Sequence, residues 1–325
     1  MTRPRIGSTM VVVVTCCTAV LFTAVATAEL ISGTNRAQRI TGTDDADAIK
    51  ARGGRDRVRA LGGNDTVYAG RGNDIVSGGT GADTISGGRG PGRDRLYGNL
   101  DNDRVLGGSG NDLVSGGVGD DRLFGNAGND TVDGFIGNDF LAGNAGDDSL
   151  SGAAGRDSSF GGPGVDRITG GEADDRVHGG DDADQVIGNT GNDTASGGRG
   201  DDGVMGDSGN DRLFGNQGID VLFGGAGNDD LWGLAGADVA LPGADTLHGG
   251  SGNDSFHTRD GERDTVVCGP GKKDVAFLDL VDVIADATSA SPKGSCETVQ
   301  RAAPKKGQDV PENKTEAPTE DALQG

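Results

Sequence analysis

GGSGNDLVS (Gly107–Ser115), GGVGDDRLF (Gly116–Phe124) and GNAGNDTVD (Gly125–Asp133) follow one another without a spacer. Each nonapeptide carries glycine at places one and four, often at two as well, aspartate at six and an aliphatic residue at eight. The same register predicts sixteen consecutive units from Gly98 to Leu241. A short fixed period of this kind is the mark of a solenoid, in which each unit is stabilised by its neighbours, and not of a globule around one buried active site.

Outward from this stretch the pattern weakens at identifiable points. Upstream, the first unit is Gly42–Lys50, with Asp47 and Ile49 in place, and the sixth, Gly87–Tyr97, has two extra residues near Pro91-Gly92. Downstream, Pro242–His248 is a seven-residue remnant that keeps Asp245 and Leu247. Gly249–His257 is complete again, and Asp264 and Val266 close the recognisable series. The repeats therefore occupy 42–267, after a leader at 29–41. Residues 268–300 include VAFLDLVDVIA (Val275–Ala285), richer in large apolar side chains than any repeat, and read as a cap over the exposed solenoid end. Residues 301–325, rich in Pro, Lys and Glu, read as a disordered tail.

The chain has 325 residues, 63 of them glycine, and a formal net charge of -22. That balance excludes a nucleic-acid partner, whose phosphates need a basic surface, and calls for a cationic one. Residues 1–28 have the form of a secretory signal: Arg3 and Arg5, an apolar stretch from Met10 to Ala26, and a small-residue site at Ala26-Thr27-Ala28. With that segment removed, no stable membrane span is expected. Cys16 and Cys17 would leave with it. The two remaining cysteines, Cys268 and Cys296, are expected to pair in an exported chain.

Within a unit, glycine at places one, two and four is expected to let the backbone take positive φ and curl into a six-residue turn, followed by a three-residue strand. Alternation along the strand turns the place-eight aliphatic inward. Two units make one flattened coil of eighteen residues with a thin core. Place six is aspartate in all 25 alignable units, whereas place eight lacks a large apolar residue at Ser159, Ala195 and Ala240. An aspartate kept better than the core residue is more than a solvated charge. Turn-capping alone would accept asparagine, which never stands at place six. Stacking brings the aspartates of units n and n+2 about 4.8 Å apart, one strand spacing. Carboxylates that close repel each other unless a cation intervenes, and a hard divalent ion that accepts six to eight oxygens in flexible geometry, calcium above magnesium, suits the donors. Zinc would need Cys or His ligands; His178, His248 and His257 all fall at the outward place nine.

The units fit G-G-x-G-x-D-x-U-x, and the array from Gly42 to Val266 resembles the RTX, hemolysin-type calcium-binding repeat family. The resemblance implies an all-β fold, a right-handed parallel β-roll with two nonapeptides per coil, and multiple Ca2+ ions held in the turns by place-six aspartates and backbone carbonyls. Carried onto this sequence, the expected ligands are Asp65, Asp74, Asp83, Asp112, Asp121, Asp130, Asp139 and Asp148, followed by Asp166, Asp193, Asp202, Asp211, Asp220, Asp229, Asp238 and Asp254. Turns in which Asp45, Asp101, Ala173 or Asp182 replaces the place-four glycine fall outside this set, as does Asp245, which lacks the opening glycines.

Gly206-Asp207-Ser208-Gly209 is similar to a serine-protease motif but is an ordinary repeat without a positioned histidine. Place nine is often aromatic, as at Tyr68, Tyr97, Phe124, Phe160, Phe214, Phe223 and Trp232, and Phe214 should stack on Trp232 two units on. The expected function is that of a secreted, extracellular, non-catalytic calcium-binding protein that folds on calcium, structural or adhesive, with a cell-surface or matrix partner. The alternative is a non-catalytic relative or accessory of a secreted RTX toxin or hydrolase.

Overall fold

The structure, a computed structural model, describes residues 29–233, 244–287 and 293–302. Among them run twenty-nine strands numbered in chain order, from β1 (Leu30–Ser32) to β29 (Thr298–Arg301). Odd-numbered strands form one parallel sheet of fifteen and even-numbered strands another of fourteen. The chain thus alternates between two sheets, and each strand pairs with the next but one in the chain, eighteen residues away in the regular units. Val114 in β10 (Leu113–Val118) lies between Leu96 and Val132 of the adjacent coils. This is the expected all-β parallel roll, two nonapeptides to the coil.

The place-eight side chains meet between the sheets. Val114, Leu123, Val132, Leu141 and Leu150 are fully buried, and the row runs from Ile40 to Ile284. Where the pattern lapses, Ala195 fills the same row and Ser159 leaves its buried hydroxyl without a partner.

The division of each unit differs from the expected one. A typical strand has six residues, places seven to nine and one to three, and the turn only three. The glycine-rich half of the repeat stays in the sheet because it pairs with the same half of the next coil, Gly117 with Phe135 for example. Glycines at places two and four do take positive φ, 123° at Gly117 and 141° at Gly119. Place two also accepts Asn126 at 78° and Phe135 at 77°. Place-one glycines such as Gly107 and Gly125 have no positive φ. What they lack room for is a Cβ: at Gly107 it would lie 2.8 Å from its own unit's Asp112 Oδ2.

The ends and one interior stretch also depart from the sequence boundaries. In the leader, β1 and β2 (Arg39–Thr41) start the two sheets by pairing with β3 (Ala48–Lys50) and β4 (Arg57–Gly62). Beyond Val267, β27 (Val275–Leu278), β28 (Val283–Ile284) and β29 continue both sheets, so the cap is made of further coils. Cys268 and Cys296, both buried, are joined by a disulfide across this end. In the interior, β22 (Val221–Ala226) pairs with β24 (Thr246–Ser251), and β23 (Asp230–Trp232) with β25 (Ser255–Thr258). The last of the sixteen expected units, Gly233–Leu241, lies almost wholly outside the described residues. The signal at 1–28 and residues 303–325 of the tail lie outside the described residues.

Candidate metal centre

Each turn delivers its place-six aspartate to the same position on one of the two edges of the roll. Here the carboxylate is buried and its two oxygens have different surroundings. Oδ1 accepts a hydrogen bond from the backbone N–H of the aspartate one coil earlier. Asp112 N–H donates to Asp130 Oδ1 at 2.7 Å, and Asp130 N–H to Asp148 Oδ1 at 2.6 Å. The two edges carry two such ladders, one from Asp47 through Asp274 and one from Asp56 through Asp282. Oδ2 is different: in 23 of the ladder aspartates it is buried and bonded to nothing. An ionised, dry oxygen without a donor costs several kcal/mol unless something pairs with it.

The aspartates proposed from the sequence share this geometry at Asp65, Asp74, Asp83, Asp112, Asp121, Asp130, Asp139 and Asp148, and at Asp166, Asp193, Asp202, Asp211, Asp220, Asp229 and Asp254. Asp238 lies outside the described residues. Asp220 N–H donates to Asp245 Oδ1 and Asp229 N–H to Asp254 Oδ1, each across 25 residues. Asp245, expected to be a weak position, is a full member, with its Oδ2 buried and unpaired. So are Asp103, Asp175 and Asp184, because Asp101, Ala173 and Asp182 adopt the positive φ of the glycine they replace. Asp56, Asp157, Asp264 and Asp274 join them. At the N-terminal end the pattern closes off, since Asp47 Oδ2 accepts from the Thr43 N–H and hydroxyl.

Burial is the main force on the protons of these groups. It pushes the Asp112 carboxyl up to about 6, Asp130 and Asp148 to about 7, and Asp202 to about 8, with the neighbouring ladder carboxylates adding repulsion. Hydrogen bonds from backbone N–H groups oppose the shift without cancelling it.

A hard cation suits this donor set. A Cβ placed on Gly125 would meet Asp130 Oδ2 at 2.5 Å and the Gly143 carbonyl oxygen at 2.9 Å, so both oxygens converge over one bare Cα. The pair recurs at Gly170, with Asp175 Oδ2 at 2.5 Å and the Gly188 carbonyl at 2.8 Å. Such sites present only oxygens, the preference of Ca2+. Glycine at place one keeps this space open.

A second, exposed ladder runs beside the first and was not anticipated. Place five is often Asn or Asp, and its side chain accepts from the place-five N–H of the following coil. Asn102 Oδ1 accepts from Asp120 N–H at 2.9 Å, Asp120 Oδ1 from Asn138 N–H at 2.8 Å, and Asn138 Oδ1 from Arg156 N–H at 3.0 Å. The signal lay in the recurring Asn-Asp pair, as at Asn111-Asp112 and Asn129-Asp130. On the outer face of the odd-strand sheet Phe214 and Trp232 stack at 6.3 Å as expected, and Trp232 continues onto His257 at 3.7 Å and His257 onto Phe277 at 5.1 Å. Phe124 and Phe214 are nevertheless buried, because neighbouring coils cover them.

Two edges of stacked, half-satisfied carboxylates on a parallel solenoid define a class of protein: a β-roll whose turns bind metal ions. The family model for the RTX calcium-binding nonapeptide repeat matches the chain in overlapping segments from residue 32 to residue 262. The chain belongs to that family, and its roll is a calcium-binding one. No curated protein matches the chain. Among the described residues no helix is long and apolar enough to cross a membrane.

Proposed function

We propose that this is an exported, extracellular protein whose roll folds as calcium fills the two ladders, and that it serves a structural or adhesive role without catalysis. The observation that carries the reading is the row of buried, unpartnered Oδ2 atoms, which the metal-free fold leaves uncompensated. One aliphatic residue in nine is thin support for a backbone rich in glycine, which loses most entropy on ordering. Ions that bind only the folded chain supply the balance. The signal-like segment at 1–28 supports export. The stack from Phe214 to Phe277 offers a stiff outer face for a cell-surface or matrix partner.

Circular dichroism of the mature chain tests the reading. In chelator the spectrum should be largely that of an unfolded chain. Millimolar calcium should make it β-rich, equal magnesium should do much less, and native mass spectrometry should count more than ten ions. A fully β-rich spectrum in chelator, or one or two ions at saturation, would refute it.

A further inference from the structure

The turn between β25 and β26 (Thr265–Val267) breaks the repeat in an unusual way. It reads Thr258-Arg259-Asp260-Gly261-Glu262-Arg263-Asp264, so Asp260 stands four residues before the ladder aspartate, where ordinary units carry the place-two glycine. A place-two glycine offers the ion only backbone. Here the position offers a carboxylate, and Asp260 Oδ2 is buried and unpaired like the ladder oxygens beside it. Asp245, Asp260 and Asp264 each present a carboxylate oxygen within 4.8 Å of the other two.

The remaining contacts leave these oxygens free. Asp245 Oδ1 accepts from Asp220 N–H, Asp264 Oδ1 from Asp245 N–H, and Asp260 Oδ1 from Glu262 N–H, all at 2.8 Å. In each case Oδ2 has no partner, and Asp245 and Asp264 are almost completely buried. Asp282, the next rung, is not a fourth member, because its Oδ2 is taken by the Thr258 hydroxyl and the Asp279 N–H. The nearby Arg259 sends its guanidinium to the carbonyls of Leu278 and Gln300. The Arg–Asp ion pairs among the described residues lie elsewhere, at Arg156–Asp174, Arg199–Asp181 and Arg212–Asp230.

We propose that Asp245, Asp260 and Asp264 form a three-carboxylate calcium site that binds more tightly than any ordinary rung of the ladders. The proposal rests on the calcium reading above and adds a ranking of sites to it. Calcium affinity rises with the number of charged ligands and with the rigidity of the site. This site has one more carboxylate than a rung shared by two aspartates. The disulfide from Cys268, four residues past Asp264, ties the segment down before the ion arrives. Asp207 is the internal control: it too stands at place two, but it is exposed and its turn is otherwise regular.

The test is calcium titration of the mature, oxidised chain in competition with a chromophoric chelator. The wild type should show one tight ion ahead of the main cooperative phase. Asp260→Asn should weaken that ion by about tenfold or more and leave the main phase and the saturated spectrum unchanged, whereas Asp207→Asn should keep the tight ion. Terbium gives a second readout. Trp232 is the chain's one tryptophan, and a Cβ on the adjoining Gly233 would lie 2.8 Å from Asp245 Oδ2. Tryptophan-sensitised emission should therefore rise with the first equivalent in the wild type and in Asp260→Glu, and only later in Asp260→Asn. Many calcium ions with no tight class, or a tight class that survives Asp260→Asn, would overturn the proposal and leave the general reading intact. Failure of the wild type to bind calcium would overturn both.

Discussion

Asp130→Asn separates the two jobs that one carboxylate performs in the ladder. Asparagine keeps an Oδ1 that can accept from Asp112 N–H, now at 2.7 Å, and keeps the backbone N–H that donates to Asp148 at 2.6 Å. It replaces only Oδ2, the buried oxygen without a partner, by an amide that cannot ligate a cation. If the aspartate merely ties coils together, the substitution is nearly silent. If Oδ2 is a ligand, the variant loses the stabilisation from at least one ion, about 2.7 kcal/mol when calcium is at a hundred times Kd. At about 2 °C per kcal/mol for a chain of this size, the melting midpoint in calcium should fall by about 5 °C. The calcium concentration needed for half-maximal ellipticity should rise as well. Asp130→Ala should be worse, because it also strands the buried Asp112 N–H, at a cost of about 1–3 kcal/mol. Asp309→Ala, in the tail, should match the wild type. Thermal melts and calcium titrations followed by ellipticity measure all three. A wild-type calcium midpoint in Asp130→Asn, with damage confined to Asp130→Ala, would mean that the ladder is held by hydrogen bonds alone and that the ligand assignment is wrong.

Two further outcomes follow from the same geometry. Burial holds Asp130, Asp139 and Asp148 at about 7 and Asp202 at about 8 in the metal-free fold, above the ordinary 3.8. The folded chain therefore binds more protons than the unfolded one between those values. Stability of the calcium-stripped roll is fully present below about pH 4 and is lost as pH rises through 7 to 8. Protons compete with the metal over the same range, so calcium affinity should instead rise with pH. A stripped protein that gains β content between pH 5 and 8 would contradict this. Deleting Gly107–Phe124 removes one whole coil and should preserve calcium-induced folding with about two fewer ions, since solenoid stability is nearly a sum over neighbours. Deleting only Gly107–Asn111 joins Asp112 to the preceding strand and should lower the thermal midpoint more; equal midpoints would refute two units per coil.

The features legible in the sequence are those written in side chains. Asp112 and Val114 recur with their period, and the period fixes which residues stack and which face the core. Apart from the place-five Asn and Asp ladder, what escaped is carried by the backbone. The glycine-rich half of a unit reads as turn by composition, yet it is strand because parallel pairing asks for N–H and C=O groups and not for particular side chains. The leader hid for the same reason: Leu30-Ile31-Ser32 has the x-U-x form, but Glu29 stands before it where a unit carries aspartate, and pairing with Ala48, Ile49 and Lys50 makes it the first rung. Glycine at place four proved too strict a criterion for a site, since Asp101 and Ala173 reach φ of 72° and 78° without it. The role of glycine at place one was misassigned, because a periodic glycine looks the same whether it supplies an unusual φ or, as at Gly125, room for a carboxylate.

The direct pairing of β22 with β24 and of β23 with β25 bears on how such an array can change length. Because successive nonapeptides belong to opposite sheets, the chain has a parity. Gain or loss of a single unit would send every later strand to the other sheet, move each later aspartate to the other edge, and place the terminal disulfide on the wrong side. Gains or losses in pairs leave all of this untouched. Asp229 and Asp254 are successive rungs of one ladder, yet they lie 25 residues apart where an ordinary coil takes eighteen, as between Asp112 and Asp130. Asp245 takes the even-strand edge and Asp254 the odd, as if the surplus were absent. Recombination within the repeats should therefore favour even copy numbers, with odd ones tolerated only where a stretch can be left out of both sheets.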